Sequence, residues 1–170
     1  MPVNGSRQGA TLFRYFPTKE DLILHRIADH QGEAARVVRD RQPEISPLTA
    51  LHRHFRSGLD SRDPVTGLND HPVVMAFHRL VFTTPSLAAR VTQYMLDNEE
   101  SLAEVLRGDI TARLQAAQVI AVQRVLARTN WQRLVAGQTA DEVYPEAVAD
   151  ADRAFALLQT GFRDATDADS

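Results

Sequence analysis

Apolar residues recur every three or four positions along most of this chain, which is the spacing of one face of an α-helix. Prolines and glycines fall almost entirely between these periodic segments. We find no segment with the strict alternation of a half-buried strand. The pattern therefore predicts an all-α protein, with helices that begin at or next to Thr18, Ser46, Pro72, Thr84, Thr111 and Tyr144.

Local signals set the bounds of these helices. The Thr18 hydroxyl can cap a helix that runs to about Arg41. Ser46 as N-cap, with proline at the first helical position, starts the next helix. Pro72 opens another, and Gly108 is a C-terminal stop. The predicted inward stripes are Leu48, Leu51, Phe55 and Leu59; then Val74, Phe77, His78, Val81 and Phe82; then Leu87, Val91, Tyr94, Met95, Leu102, Val105 and Leu106.

The last two helices have more apolar surface than one core-facing stripe requires. A helix that is apolar nearly all round is buried on two sides. The surplus predicts a homodimer in which these two helices pair with their copies across a two-fold axis. The alternative is that both are central helices of a monomer.

Composition narrows the class of protein. Hydrophobic residues make up 44% of the 170 residues and charged residues 24%, as in an ordinary globular domain. No apolar run approaches the ~18 residues of a membrane span, and there is no cysteine, which fits a cytoplasmic protein without membrane contact. Net charge is −3, but residues 1–19 carry +3 and residues 141–170 carry −6. A polyanion is therefore expected to approach the N-terminal end.

The stretch TLFRYFPTKEDL, near the start, joins a short aromatic helical run to a strong helix start. Thr11 and Arg14 can contact base edges in a DNA groove. Tyr15 can donate a hydrogen bond to a phosphate group of the DNA. Thr18 and Lys19 lie at the start of the next helix, whose free backbone N–H groups attract a second phosphate group. These five residues are the candidate DNA-binding set. The alternative is an amphipathic turn whose aromatic side chains only pack inside.

The same stretch, extended to TLFRYFPTKEDLIL, resembles the signature that closes the helix-turn-helix of TetR-family transcriptional regulators. The resemblance implies base-proximal roles for Thr11 and Arg14 and phosphate contacts for Tyr15 and Lys19, with help from the Thr18 cap. Phe13 departs from the tyrosine that many members carry. The rest of the chain is similar to the family's regulatory domain, which is all-helical, dimerises through its last two helices and encloses a pocket for a small-molecule effector. TPSLAAR, RVLARTNWQRLVAG and RAFALLQTGF resemble the branch thought to bind acyl-CoA-like ligands.

The resemblance divides the chain into three parts: a helix-turn-helix remnant over residues 1–18, a ligand-binding and dimerisation domain over 19–163, and a disordered acidic tail over 164–170. In the family two helices brace the recognition helix from its N-terminal side. Two such helices need roughly 20–28 residues, and only MPVNGSRQGA precedes the motif. We therefore expect sensing and dimerisation without operator binding, whether the start lies upstream or the gene is a decayed regulator. The alternative function is a ligand-binding or heterodimerising module with no DNA role.

Ligand candidates are large or polar-tipped residues on the inward stripes. Our selected set is His78, Phe82, Tyr94, Met95 and Trp131, drawn from a longer list that adds Met75, Phe77, Gln118 and Arg124. Arg79 and Arg90 are second-rank candidates for an acidic head group. The alternative is that most of these residues are plain core. The six histidines lack ligand spacing, and no catalytic constellation is visible, so we expect no metal, no cofactor and no enzyme activity.

Overall fold

A computed structural model describes residues 29–167, with side chains up to residue 160. Its helices are α1 (Glu33–Arg39), α2 (Pro47–Asp60), α3 (Pro72–Thr83), α4 (Pro85–Val105), α5 (Ile110–Val135) and α6 (Ala140–Asp167), with one 3₁₀ turn at Pro64–Thr66. No strand occurs within residues 29–167, so the all-α prediction is confirmed for that part of the chain. None of the helices described there combines the length and the apolar character needed to cross a bilayer.

Several helix starts lie where local signals place them. The Ser46 side chain accepts a hydrogen bond from the Thr49 backbone N–H at 3.1 Å, and Pro47 is the first residue of α2. The predicted inward residues of that helix are all buried. Pro72 begins α3, with His71 as its N-cap. At the end of α4 the Gly108 N–H bonds to the Ala103 carbonyl at 2.8 Å, which confirms the predicted stop.

Three predicted bounds differ from the structure. The last helix, predicted to begin at about Tyr144, begins at Ala140. The helix predicted to run from Thr18 to Arg41 is interrupted by a turn at residues 30–32. Gly32 has a left-handed φ of 70°, and its N–H donates to Asn98 Oδ1 at 2.6 Å, so a contact from α4 stabilises the break. Residues 164–167, predicted to belong to a disordered tail, belong instead to α6, which has no proline after Pro145 and continues to Asp167.

The long helix α5 lies between α4 and α6, and α2 packs on the other side of α6. The main core contains Leu51, Leu59, Leu102, Val119 and Val143, each almost fully buried. A second, smaller cluster joins α3 to the first half of α4 through residues that include Val81 and Leu87. Only Val81 of α3 is fully buried, and Val73 is 64% exposed. The helix α3 is therefore only lightly embedded, and it packs mainly on α4.

The turn that precedes α3 is held tightly against α5. Asn130 is 1% exposed, and its side-chain amide donates to the Thr66 carbonyl at 2.9 Å. Gly67 has φ +72°, and a Cβ at that position would lie 1.9 Å from the Ala127 carbonyl oxygen. The backbone at Gly67 thus lies directly against the backbone at Ala127, and no side chain fits between them. This contact sets the point from which the chain enters α3.

Gly67→Ala tests that contact. A left-handed φ costs an L-residue about 1 to 2 kcal/mol, and forcing a methyl group against Ala127 adds about 1 to 3 kcal/mol. We expect Gly67→Ala to lower the free energy of unfolding by about 3 kcal/mol in urea denaturation. Gly108→Ala is the matched control, because Gly108 has φ +73° but nothing within 4 Å of the added Cβ. Equal losses in the two variants would contradict the close approach.

A carboxylate joins α1 to α2. The side chain of Glu33 lies 3.0 Å from His30 Nδ1 and 3.3 Å from His54 Nε2. Its hydrogen bonds lower the pKa of Glu33 to about 2, and the bond with His30 has a larger effect than the bond with His54. The same hydrogen bonds raise the pKa of each histidine above its ordinary value. The charged cluster is therefore more stable in the folded chain than its separate groups are in water.

This cluster predicts a pH window of stability. The histidine contribution is complete below about pH 6.5 and is lost as pH rises through the raised histidine pKa values. The Glu33 contribution is present above about pH 4.3 and is lost as pH falls through about 2. Glu33→Gln should therefore destabilise the chain more at pH 5.5 than at pH 8.5, measured by urea denaturation. Glu104→Gln, on an exposed position of α4, is the control; a loss that is the same at both pH values would refute the assignment.

Candidate functional site

An aromatic cluster lies where α3 approaches α5. The ring centroids of Phe82 and Trp131 are 4.7 Å apart. The rings of His78 and Trp131 meet nearly at right angles, with centroids 6.4 Å apart, and Phe77 lies 5.6 Å from His78. His78 and Phe82 are four residues apart and so share one face of α3. The structure thus brings together three of the five residues selected from the sequence.

Two nitrogen atoms of this cluster have no hydrogen-bond partner among the described residues. They are His78 Nδ1 and Trp131 Nε1, and both are buried. The indole N–H can only donate, and a buried donor without an acceptor costs about 1 to 3 kcal/mol. Burial lowers the pKa of His78, so its imidazole is neutral near pH 7. The cluster can therefore offer hydrogen bonds to an oxygen-bearing group beside an apolar surface.

A positive charge lies at the outer edge of the cluster. The Arg128 guanidinium lies 5.3 Å from the centre of the Phe82 ring, within the range of a cation–π interaction. Phe82 is 44% exposed, so this edge reaches solvent. Arg128 is not among the residues predicted from the sequence. Its spacing of three residues before Trp131 places both on neighbouring positions of α5, and that spacing was the available signal.

The other selected residues lie elsewhere. Met95 packs against the main core, as does Met75. Tyr94 is half-buried on α4, and none of the ring contacts among described residues involves it. Gln118 and Arg124 are exposed. The candidate DNA-binding residues lie outside the described residues: Thr11, Arg14, Tyr15, Thr18 and Lys19.

A groove of about 120 Å³ between α2 and α6 is the main rival site. His52 stacks on Phe155 with centroids 4.8 Å apart and bonds to Asp152 at 2.8 Å. Arg56 donates to both oxygens of the same carboxylate, at 2.7 and 2.8 Å, and this contact lowers the pKa of Asp152. His52 and Arg56 of α2 thus share the Asp152 carboxylate and join α2 to α6, while Arg56 Nε is buried without a partner among the described residues. A second, shallow pocket of about 240 Å³ lies between α1 and α2, beside Arg41.

Within residues 29–167 no three metal-ligating side chains are arranged to hold an ion. Comparison of the chain with protein-family models, with curated proteins and with solved structures gives no match. The aromatic cluster, with its two unpartnered nitrogens, is therefore the candidate site.

The unpartnered His78 nitrogen predicts an unusual mutational response. Replacing the buried imidazole by a phenyl ring removes a polar atom that lacks a partner, so His78→Phe should leave the free energy of unfolding unchanged or raise it by about 1 kcal/mol at pH 8. The contribution of His78 to stability should also fall as pH drops below about 6.5, opposite in sign to that of the Glu33 cluster, because the unfolded chain takes up the proton first. His78→Phe should lack that loss.

Urea denaturation at pH 8 and pH 5.5 measures both effects. His71→Asn is the control, since it removes an exposed imidazole and keeps an acceptor at the N-cap of α3. A His78→Phe variant that is strongly destabilised at pH 8 would show that the imidazole makes a native hydrogen bond.

Proposed function

We propose that this chain is a TetR-like transcriptional regulator whose helical body senses a small apolar or amphipathic molecule and pairs with a second copy of itself. The observation that carries the proposal is the pair of buried, unpartnered nitrogens of His78 and Trp131 within an aromatic cluster. A helix–helix contact that served packing alone would gain stability from apolar atoms at these positions. Polar groups left without partners in an apolar setting are what an orienting ligand contact requires.

The placement of α3 supports a sensing role. It packs mainly on the first half of α4, whereas the main core extends through α1, α2, the end of α4, α5 and α6, with Met75 of α3 at its edge. A ligand that separates α3 from α5 would therefore disturb the small cluster around Val81 and Leu87 and leave most of the main core in place. Locally weak elements are those that move when a ligand binds. The helix α3 is thus the moving cover of the proposed site.

The outer surface of α5 supports the pairing role. Leu114 is 56% exposed and Val125 54%, and Ile110 is also exposed. Their spacing places them on one side of the helix, with the small Ala117 and Ala121 between them. The buried residues of α5, including Val119 and Leu126, lie on the opposite side. A stripe of large apolar side chains of this length on one helix marks an interaction surface.

The helix α6 adds to the same surface. Arg133 of α5 contacts Asp150 of α6 at 2.8 Å, so the side of α6 that carries Asp150 borders α5. Leu157 lies two helical turns after Asp150, on nearly the same side, and is 72% exposed. The two helices together present an apolar face that a second copy can cover by the same residues. Trp131 and this face belong to one helix, so α5 couples the two proposed functions.

Ligand sensing is tested with 4-phenylbutyrate and 4-phenylbutanol, two probes with the same carbon skeleton. Trp131 is the only tryptophan, so its fluorescence reports on the cluster without labelling. We expect at least one probe to change that emission saturably and Phe82→Ala to weaken its binding at least tenfold, about 1.4 kcal/mol. Leu96→Ala, an exposed position on α4, should leave affinity unchanged. Failure of both probes to bind, or binding that Phe82→Ala leaves unchanged, would refute the site.

Dimerisation is tested by placing a charged residue on the exposed apolar stripe of α5. Leu114→Glu and Val125→Glu each place a carboxylate on the apolar stripe, and each should convert a dimer of twice 18.9 kDa into a monomer. Val73→Glu makes the same change at an exposed residue of α3 and should leave the dimer intact. Sedimentation equilibrium measures the masses. A wild type that is monomeric at tens of micromolar would contradict the proposal.

A further inference from the structure

The helices around the aromatic cluster differ in charge from the chain as a whole. The chain as a whole is negative, at −3. In contrast, α3, residues 85–96 of α4, and α5 contain no aspartate or glutamate. Their charged side chains are all arginines: Arg79, Arg90, Arg113, Arg124, Arg128 and Arg133. These helical segments are therefore positive within a negative protein, and Arg128 lies directly beside the Phe82 ring of the cluster.

Most of this positive charge is not neutralised by neighbours. Arg133 pairs with Glu146 and Asp150, and Arg113 lies 3.7 Å from Glu100. The remaining four make no ion pair within the described part of the chain. They are Arg79, Arg90, Arg124 and Arg128. Arginines without ion pairs on these helices, with Arg128 beside the cluster, attract a negatively charged ligand.

The hydrogen-bonding groups of the cluster also favour a negatively charged ligand. Trp131 Nε1–H requires an acceptor. His78 can also donate from both ring nitrogens once it is protonated. A carboxylate has two oxygens that accept hydrogen bonds and a charge that stabilises a neighbouring imidazolium. An alcohol or an amine satisfies fewer of these groups, and an amine would be repelled by the arginines.

We propose that the ligand of this site is an apolar molecule carrying a single carboxylate, which accepts from Trp131 Nε1 while His78 takes up a proton from solvent. This inference rests on the proposed sensing function and names its ligand class. The charged groups on the elements around His78 are Arg79 on α3, Arg90 on the first half of α4, and Arg113, Arg124, Arg128 and Arg133 on α5, while the second half of α4 carries Asp97, Glu99, Glu100 and Glu104. No acid lies on α3, on residues 85–96 of α4 or on α5, so the carboxylate of the ligand supplies the negative charge that protonated His78 requires. Burial, which lowers the pKa of His78 in the free protein, makes this uptake measurable near neutral pH.

The test is calorimetric titration of the full chain with 4-phenylbutyrate and with 4-phenylbutanol. Titrations in phosphate and in Tris at pH 7.5 give the number of protons taken up, since the two buffers differ in ionisation enthalpy. For the acid we expect uptake of up to one proton and an affinity that rises between pH 8.5 and pH 6.5, by at most tenfold per pH unit. For the alcohol we expect at least tenfold weaker binding and no proton uptake.

Substitutions at His78 and Trp131 identify the group that takes up the proton and the group that donates the hydrogen bond. His78→Gln should still bind the acid, more weakly, and should abolish proton uptake. His71→Gln, at an exposed histidine, should retain it. Trp131→Phe keeps an aromatic ring but removes the N–H, and it should weaken the acid more than the alcohol.

The outcomes separate the two claims. An alcohol that binds as tightly as the acid, or proton uptake that persists in His78→Gln, would overturn the ligand class and leave the sensing function standing. Failure of both probes to bind would overturn the sensing function itself. Acid binding that Phe82→Ala leaves intact but 0.5 M salt abolishes, or that anionic vesicles displace, would show that the arginines form a surface patch for polyanions, which also overturns the inference.

Discussion

The contact between the turn at residues 64–67 and helix α5 is the constraint on which the proposed site depends. Asn130 donates to the Thr66 carbonyl, and Gly67 brings main chain against main chain at Ala127. Both contacts are specific: the first satisfies a buried amide and a buried carbonyl together, and the second excludes any side chain at residue 67. Together they fix the start of α3 relative to α5. Trp131, the residue after Asn130, is thereby placed opposite His78.

The arrangement divides the helices by how firmly they are held. The helices α2, α5 and α6 form the main core with part of α4, and ion pairs such as Arg133–Asp150 and Arg56–Asp152 join their surfaces. The helix α3 is anchored by the turn before it and by a small apolar cluster, and it leaves two nitrogens without partners. A rigid body with one lightly held helix is suited to coupling ligand binding to a change of shape. The apolar face of α5 is where such a change would reach a second copy.

Most of the secondary structure could be predicted because its causes are local. Ser46 and Pro47 start α2 through a hydrogen bond and a backbone angle that neighbouring residues determine. The break at Gly32 was missed because Asn98, 66 positions away, stabilises it. The candidate site was only partly predictable for a similar reason. Leu87 and Met95 share the stripe of α4, yet Leu87 belongs to the small cluster and Met95 to the main core. Periodicity identifies an inward face but not which cluster that face meets.

The indole N–H of Trp131 provides the most direct test that this cluster is a ligand site. The chain has one tryptophan, so a ¹⁵N-labelled sample gives a single indole cross-peak. Titration with 4-phenylbutyrate should shift the indole proton downfield as Nε1–H gains an acceptor and should slow its exchange with solvent. A ligand that binds and shifts resonances elsewhere while the indole cross-peak keeps its position and exchange rate would contradict the account.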